Sequence, residues 1–156
     1  MYEYVQSATS SSDVILDVPV DLVKYRGYII TSNFEASSTN LTWCGHSALN
    51  SSKGAIATYQ RGFEFNPNFT LISRDSTEII AMGAATSCSS KMRIDISRSD
   101  TINYPCFIAE AFGGTETTYA QYMFGRLKNG PGVLKYIRCP LKTPQKNSCV
   151  RAYAYY

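Results

Sequence analysis

The chain has 156 residues, a mass of 17.3 kDa and a net charge of +3. That length suits one domain, which buries roughly 70% of its unfolded surface and needs no metal or disulfide to stay folded. With 44% hydrophobic and 17% charged residues it is not a disordered chain. Ser and Thr supply 31 residues and Leu only 8, which argues against a helical bundle and for short strands joined by polar turns.

Taken in chain order, the first strand segments are residues 2–6 and 14–22. The second contains Pro19 and is therefore an edge or bent strand. Residues 20–25 suit a single helical turn, and no segment holds an i, i+3, i+4, i+7 apolar stripe for three turns. Segments 25–31, 41–44, 55–65, 69–73 and 78–84 follow, with Gly, Ser, Asn or Asp clusters in most of the gaps. Residues 91–97 carry the clearest pattern: Met92, Ile94 and Ile96 alternate with Arg93, Asp95 and Ser97, giving one dry face and one wet face. Next come 106–112, 119–127 and 133–141. The last two flank Asn129-Gly130-Pro131-Gly132, turn chemistry that predicts a hairpin or neighbouring strands. The chain closes on 149–156, with Val150, Ala152 and Ala154 on one side and Arg151, Tyr153 and Tyr155 on the other. The predicted fold class is all-β: one antiparallel β-sandwich domain over residues 1–156, jelly-roll-like.

The charge is unevenly placed. Residues 1–116 carry 8 Lys or Arg against 12 Asp or Glu, whereas residues 117–156 carry 7 Lys or Arg and no acid. Such an end either binds anions or pairs its basic groups with acids from the first part. The first residues lack a basic segment followed by an apolar stretch, so no secretion signal is expected. The longest uncharged run, 36–52, is too polar to insert in a membrane. Cys44, Cys88, Cys106, Cys139 and Cys149 are odd in number, without C-x-x-C spacing and with a single histidine, His46. They predict reduced thiols and no metal site; Cys139 and Cys149 flank a turn-rich stretch and could meet across neighbouring strands, which the spacing leaves open.

Catalytic chemistry finds little to build on. Cys44-Gly45-His46 puts a thiol and an imidazole two residues apart on a strand, which does not aim one at the other. Carboxylates such as Asp95 and Asp100 are not singled out as a glycosidase pair, and no P-loop or G-x-G-x-x-G occurs. No enzyme and no cofactor is expected. Binding is better served. Trp43 near His46 is either a sugar platform or core, and Arg151, Tyr153 and Tyr155 share a strand face of the kind enriched in recognition surfaces. Basic groups and aromatics on strands also suit nucleic acid, but the signature of an RNA-recognition sheet is missing.

Residues 79–156 resemble the C-terminal β-domains of bacteriophage virion proteins of the tail-fibre and head-fibre type. Three features carry the resemblance: the amphipathic 92–97 strand with the extended Asn103-Tyr104-Pro105 after it, the strand around Leu134-Lys135-Tyr136-Ile137-Arg138, and the closing Ala152-Tyr153-Ala154-Tyr155. The resemblance implies a virion structural protein, made in the host cytoplasm, that assembles with other virion proteins and attaches to a host surface. It implies a homo-oligomer, a trimer first, and a host glycan among its ligands; it supplies no catalytic residue. A free carbohydrate-binding module and a nucleic-acid-binding β protein are the alternative readings.

Overall fold

The computed structural model describes the backbone of residues 1–35, 42–66, 68–85, 87–96, 103–114 and 118–156. It describes the side chains of all of these but 42–44, 66, 80–85, 114, 118 and 119. The described residues form twelve strands: β1 (Tyr2–Ser7), β2 (Val14–Pro19), β3 (Gly27–Glu35), β4 (Thr42–Leu49), β5 (Thr58–Asn66), β6 (Asn68–Ser76), β7 (Ile80–Ala85), β8 (Ser87–Ile96), β9 (Pro105–Gly114), β10 (Thr118–Leu127), β11 (Tyr136–Leu141) and β12 (Cys149–Tyr155). All pairings are antiparallel, and the strands make two sheets.

Eight of the strands behave as one long hairpin wound upon itself. Its rungs are β1 on β12, β2 on β11, β3 on β8 and β4 on β7. Successive rungs fall in opposite sheets. The winding brings β12 beside β3 and β11 beside β4, so the strand orders are β1-β12-β3-β8 and β2-β11-β4-β7. This is the double Greek key of a jelly roll, as the sequence predicts. Two further hairpins are inserted in it, β5–β6 between β4 and β7 and β9–β10 between β8 and β11. They lengthen the first sheet beyond β8 to the order β1-β12-β3-β8-β9-β10-β5-β6.

Period-two alternation explains the core. Leu16 and Val18 of β2 and Ile137, Cys139 and Leu141 of β11 face Ile30 and Phe34 of β3, Met92 and Ile94 of β8, and Val150, Ala152 and Ala154 of β12; all are buried. β2, with Pro19 as its last residue, is an edge strand of the smaller sheet. The predicted helical turn sits after it. The Tyr25 N–H donates to the Asp21 carbonyl at 2.9 Å, and Asp21 Oδ1 accepts from the N–H groups of Val23 and Lys24 at 3.0 and 3.1 Å.

Two expectations are corrected. The segments around Asn129–Gly132 are not partners: β10 pairs with β9 and β5, whereas β11 pairs with β2 and β4. The turn carries the chain from one sheet to the other, which is what a wound hairpin requires at that point. β4 also extends well past residue 44, through Gly45 and His46 to Leu49.

Candidate functional site

The extension of β4 sends His46 inward, where it bridges the two sheets. Its Nδ1 lies 3.2 Å from Cys139 Sγ on β11, and its Nε2 lies 2.9 Å from Ser90 Oγ on β8. His46 is 1% exposed. Burial pushes its imidazole down to about 4, and burial followed by the Asp17 carboxylate pushes the Cys139 thiol up to about 12. Both groups are therefore neutral at pH 7. A neutral imidazole has one donor and one acceptor nitrogen, enough to satisfy a thiol and a hydroxyl together. Nucleophilic work would need a thiolate, and this environment opposes one. The cluster holds the sheets in register, and His46 faces no solvent.

The other cysteines correct the expectation of uniformly reduced thiols. Cys88, at the start of β8, is disulfide-bonded, whereas Cys106, Cys139 and Cys149 are free. Cys139 and Cys149 do not meet because β11 and β12 belong to opposite sheets. Part of the basic C-terminal charge is matched by acids from earlier in the chain. Arg138 donates to both oxygens of Asp17 at 2.8 and 3.0 Å, and Lys128 lies 2.7 Å from Asp75. The Arg138 guanidinium, with Lys53 at 2.9 Å, holds the Asp17 carboxyl below its usual range.

On β12 the alternation falls as predicted, with Arg151, Tyr153 and Tyr155 on the outward face of the long sheet. Their groups are engaged with neighbours. The Tyr153 hydroxyl donates to Glu3 Oε1 at 3.0 Å, and this bond raises the phenol. The Tyr155 hydroxyl donates to Asp95 Oδ2 at 3.2 Å and accepts from Arg93 Nε at 3.1 Å, and burial raises this phenol. Arg93 also pairs with Asp95 at 3.1 Å and lies over the Tyr155 ring. Arg151 is exposed. Trp43 belongs to β4, but its side chain is outside the described residues, as is Asp100.

The other half of the same outward surface is apolar, and sequence reasoning missed it. Phe63 on β5, Phe69 and Leu71 on β6, Ile108 and Phe112 on β9 and Phe124 on β10 are all exposed, Leu71 by 76% and Phe69 by 62%. The register sets Phe63 opposite Leu71 and Phe65 opposite Phe69. Phe63 stacks on Tyr122, with centroids 5.3 Å apart and planes at 16°, and tilts against Phe69 at 5.1 Å. Arg61 separates two shallow depressions, one bordered by Tyr59, Ser73 and Asp75 and the other by Phe63 and Leu71. At one rim the Arg126 guanidinium lies 4.8 Å from the Tyr59 ring and 4.7 Å from the Tyr104 ring, with Lys128 4.1 Å above Tyr59.

Beneath β5 the polarity is inverted, whereas Phe107, Ala109 and Ala111 of β9 and Met123 and Leu127 of β10 remain in the apolar core. Thr58, Gln60 and Gln121 are buried. Gln60 Nε2 donates to Thr58 Oγ1 at 2.7 Å and to the Glu78 carbonyl, Thr58 Oγ1 donates to the Ser76 carbonyl at 2.8 Å, and Gln121 Nε2 donates to Glu64 Oε2 at 3.1 Å. Gly62 also faces inward, and any Cβ there would lie 1.9 Å from the Tyr122 carbonyl oxygen. A signal for this is present in β5, where Tyr59, Arg61, Phe63 and Phe65 alternate with Thr58, Gln60, Gly62 and Glu64. One set is aromatic with a single charge, and the other is polar or lacks a side chain.

No protein-family model, curated protein or solved structure matches the chain.

Proposed function

We propose that this domain works by binding, as a structural and host-attachment part of a bacteriophage virion of the tail- or head-fibre type. It assembles as a symmetric homo-oligomer, a trimer in the first instance, alongside other virion proteins. The observation that carries the reading is the division of one sheet surface into two chemically distinct halves. A protein that both assembles and attaches needs two such surfaces: an apolar one to be covered and a polar one to meet a ligand such as a host glycan. The β1-β12-β3-β8 half offers the polar surface, with Arg151 and the edges of Tyr153 and Tyr155. The jelly roll adds support by analogy, since viral capsid and lectin domains use it. The test joins sedimentation at micromolar concentration with adsorption of the labelled domain to bacterial cells. The expected result is a discrete oligomer that adsorbs to some hosts and loses adsorption with Arg151→Glu. A monomer that adsorbs to no cell overturns the reading.

A further inference from the structure

We infer that the outward wall of β9, β10, β5 and β6 is the contact between copies of this chain; the inference rests on the oligomer reading above and assigns its interface. Three observations lead there. The first is size. A large apolar side chain carries roughly 150–250 Å² of surface. With Phe63, Phe65, Phe69, Leu71, Ile108, Phe112 and Phe124 exposed by between 39% and 76%, the wall shows on the order of 700 Å² of apolar area, above the roughly 300–600 Å² of a typical monomer's largest patch. It is close to the ~800 Å² per partner of a standard interface.

The second observation is the inversion. In β5 the aromatic residues face out over a buried layer of Thr58, Gln60 and Gly62. A strand with a polar inner face gains most of its apolar burial only when something covers its outer one. The rings are also held in advance. The Tyr122–Phe63–Phe69 row is packed within the chain, so little side-chain freedom remains to be lost on docking.

The third observation identifies the occupant. The exposed apolar groups at the centre of the wall are Phe, Leu and Ile, with the hydroxyl of Tyr59 confined to one rim, so the centre offers a sugar no hydrogen-bonding tip. The charges around them are of both signs: Arg61 and Arg126 against Glu110, beside the Lys128–Asp75 pair formed within the chain. A polyanion or an anionic lipid surface would be met by one sign. A mixed rim around an apolar centre is complementary to a second copy of itself.

The experiment compares the wild-type chain with the double variant Phe69→Lys/Leu71→Lys and with Tyr153→Ala, by light scattering and sedimentation across a micromolar dilution series. Both wall positions are more than half exposed, and circular dichroism checks that each variant keeps its sheet signal; Leu71→Ser is the milder substitute where the double variant does not. The expected result is that the wall variant weakens association at least tenfold, whereas Tyr153→Ala leaves the mass unchanged. An oligomer that survives the wall variant and dissociates with Tyr153→Ala overturns this assignment and leaves the oligomer reading standing. A wild-type chain that is monomeric throughout overturns both. A wild-type monomer that joins a different virion protein through the wall, with Leu71→Ser blocking the complex, overturns the second copy as occupant.

Discussion

The two ends of the eight-stranded sheet share a backbone geometry and differ in how they dispose of polar groups. In the β1-β12-β3-β8 half, most apolar side chains point into the sandwich, Val5 and Ile29 excepted, and outward polar groups pair across strands, as Tyr153 does with Glu3 and Tyr155 with Asp95. In the β9-β10-β5-β6 half, β5 buries polar groups and displays rings. The smaller sheet explains the difference. β7 of the smaller sheet lies against β9 and β10, whose inner residues Phe107, Ala109, Ala111, Met123 and Leu127 stay buried and apolar, so the usual rule of dry inside and wet outside gives way at β5, further out in the sheet.

Substitutions sharpen that contrast. Ile94→Asp, in the wound half, places an unpaired charge at a fully buried site and is expected to cost at least about 4 kcal/mol. Urea denaturation measures it, and a variant as stable as wild type would refute the packed sandwich. Acid is the next largest effect. The imidazole of His46 is depressed to about 4 in the fold from an ordinary 6.5. Between those values the unfolded chain takes up a proton that the folded chain does not. Stability is thus full above pH 6.5 and falls on acidification towards pH 4, by about 3 kcal/mol. The same denaturation series in His46→Gln should lose that slope, and an unchanged slope would place the titration elsewhere.

In the extended half, Gly62→Ala forces a methyl group against the Tyr122 carbonyl and should cost about 2 kcal/mol by thermal melting. Full wild-type stability would mean that β5 and β10 stand further apart. The smallest effect belongs to the wall. Leu71→Ser should alter the stability of well-diluted chains by no more than about 0.5 kcal/mol, since Leu71 contributes little to its own chain's core. A larger loss at that dilution would show the side chain to be packed within the monomer.

The wound half was legible because its strands obey one rule. Met92, Ile94 and Ile96 against Arg93 and Asp95, and Val150, Ala152 and Ala154 against Arg151 and Tyr153, state which side is buried without knowledge of the partner strand. The apolar wall was not legible by that rule, since alternation alone assigns Phe63 and Phe65 to a core. Which face is covered depends on how far the other sheet reaches, and this is a property of the whole topology. The bridge from His46 to Cys139 and Ser90 was hidden for a related reason. Residues 46, 90 and 139 lie on three strands that only the winding brings together, and nearness in sequence singles out Cys44 rather than Cys139 as the thiol beside His46.

The wound hairpin also sets the order of events when the chain folds. Its rungs join β1 to β12 and β2 to β11, positions more than a hundred residues apart, and such pairings form only after a large loss of chain entropy. The inserted hairpins are local by contrast, β5 on β6 and β9 on β10. Refolding is therefore expected on the slow scale of all-β domains, roughly milliseconds to seconds, with closure of β12 between β1 and β3 as a late step. Stopped-flow analysis of Val150→Ala should then show faster unfolding with refolding little changed, the mark of a contact made after the transition state. A variant that instead slows refolding would put the last strand in the nucleus.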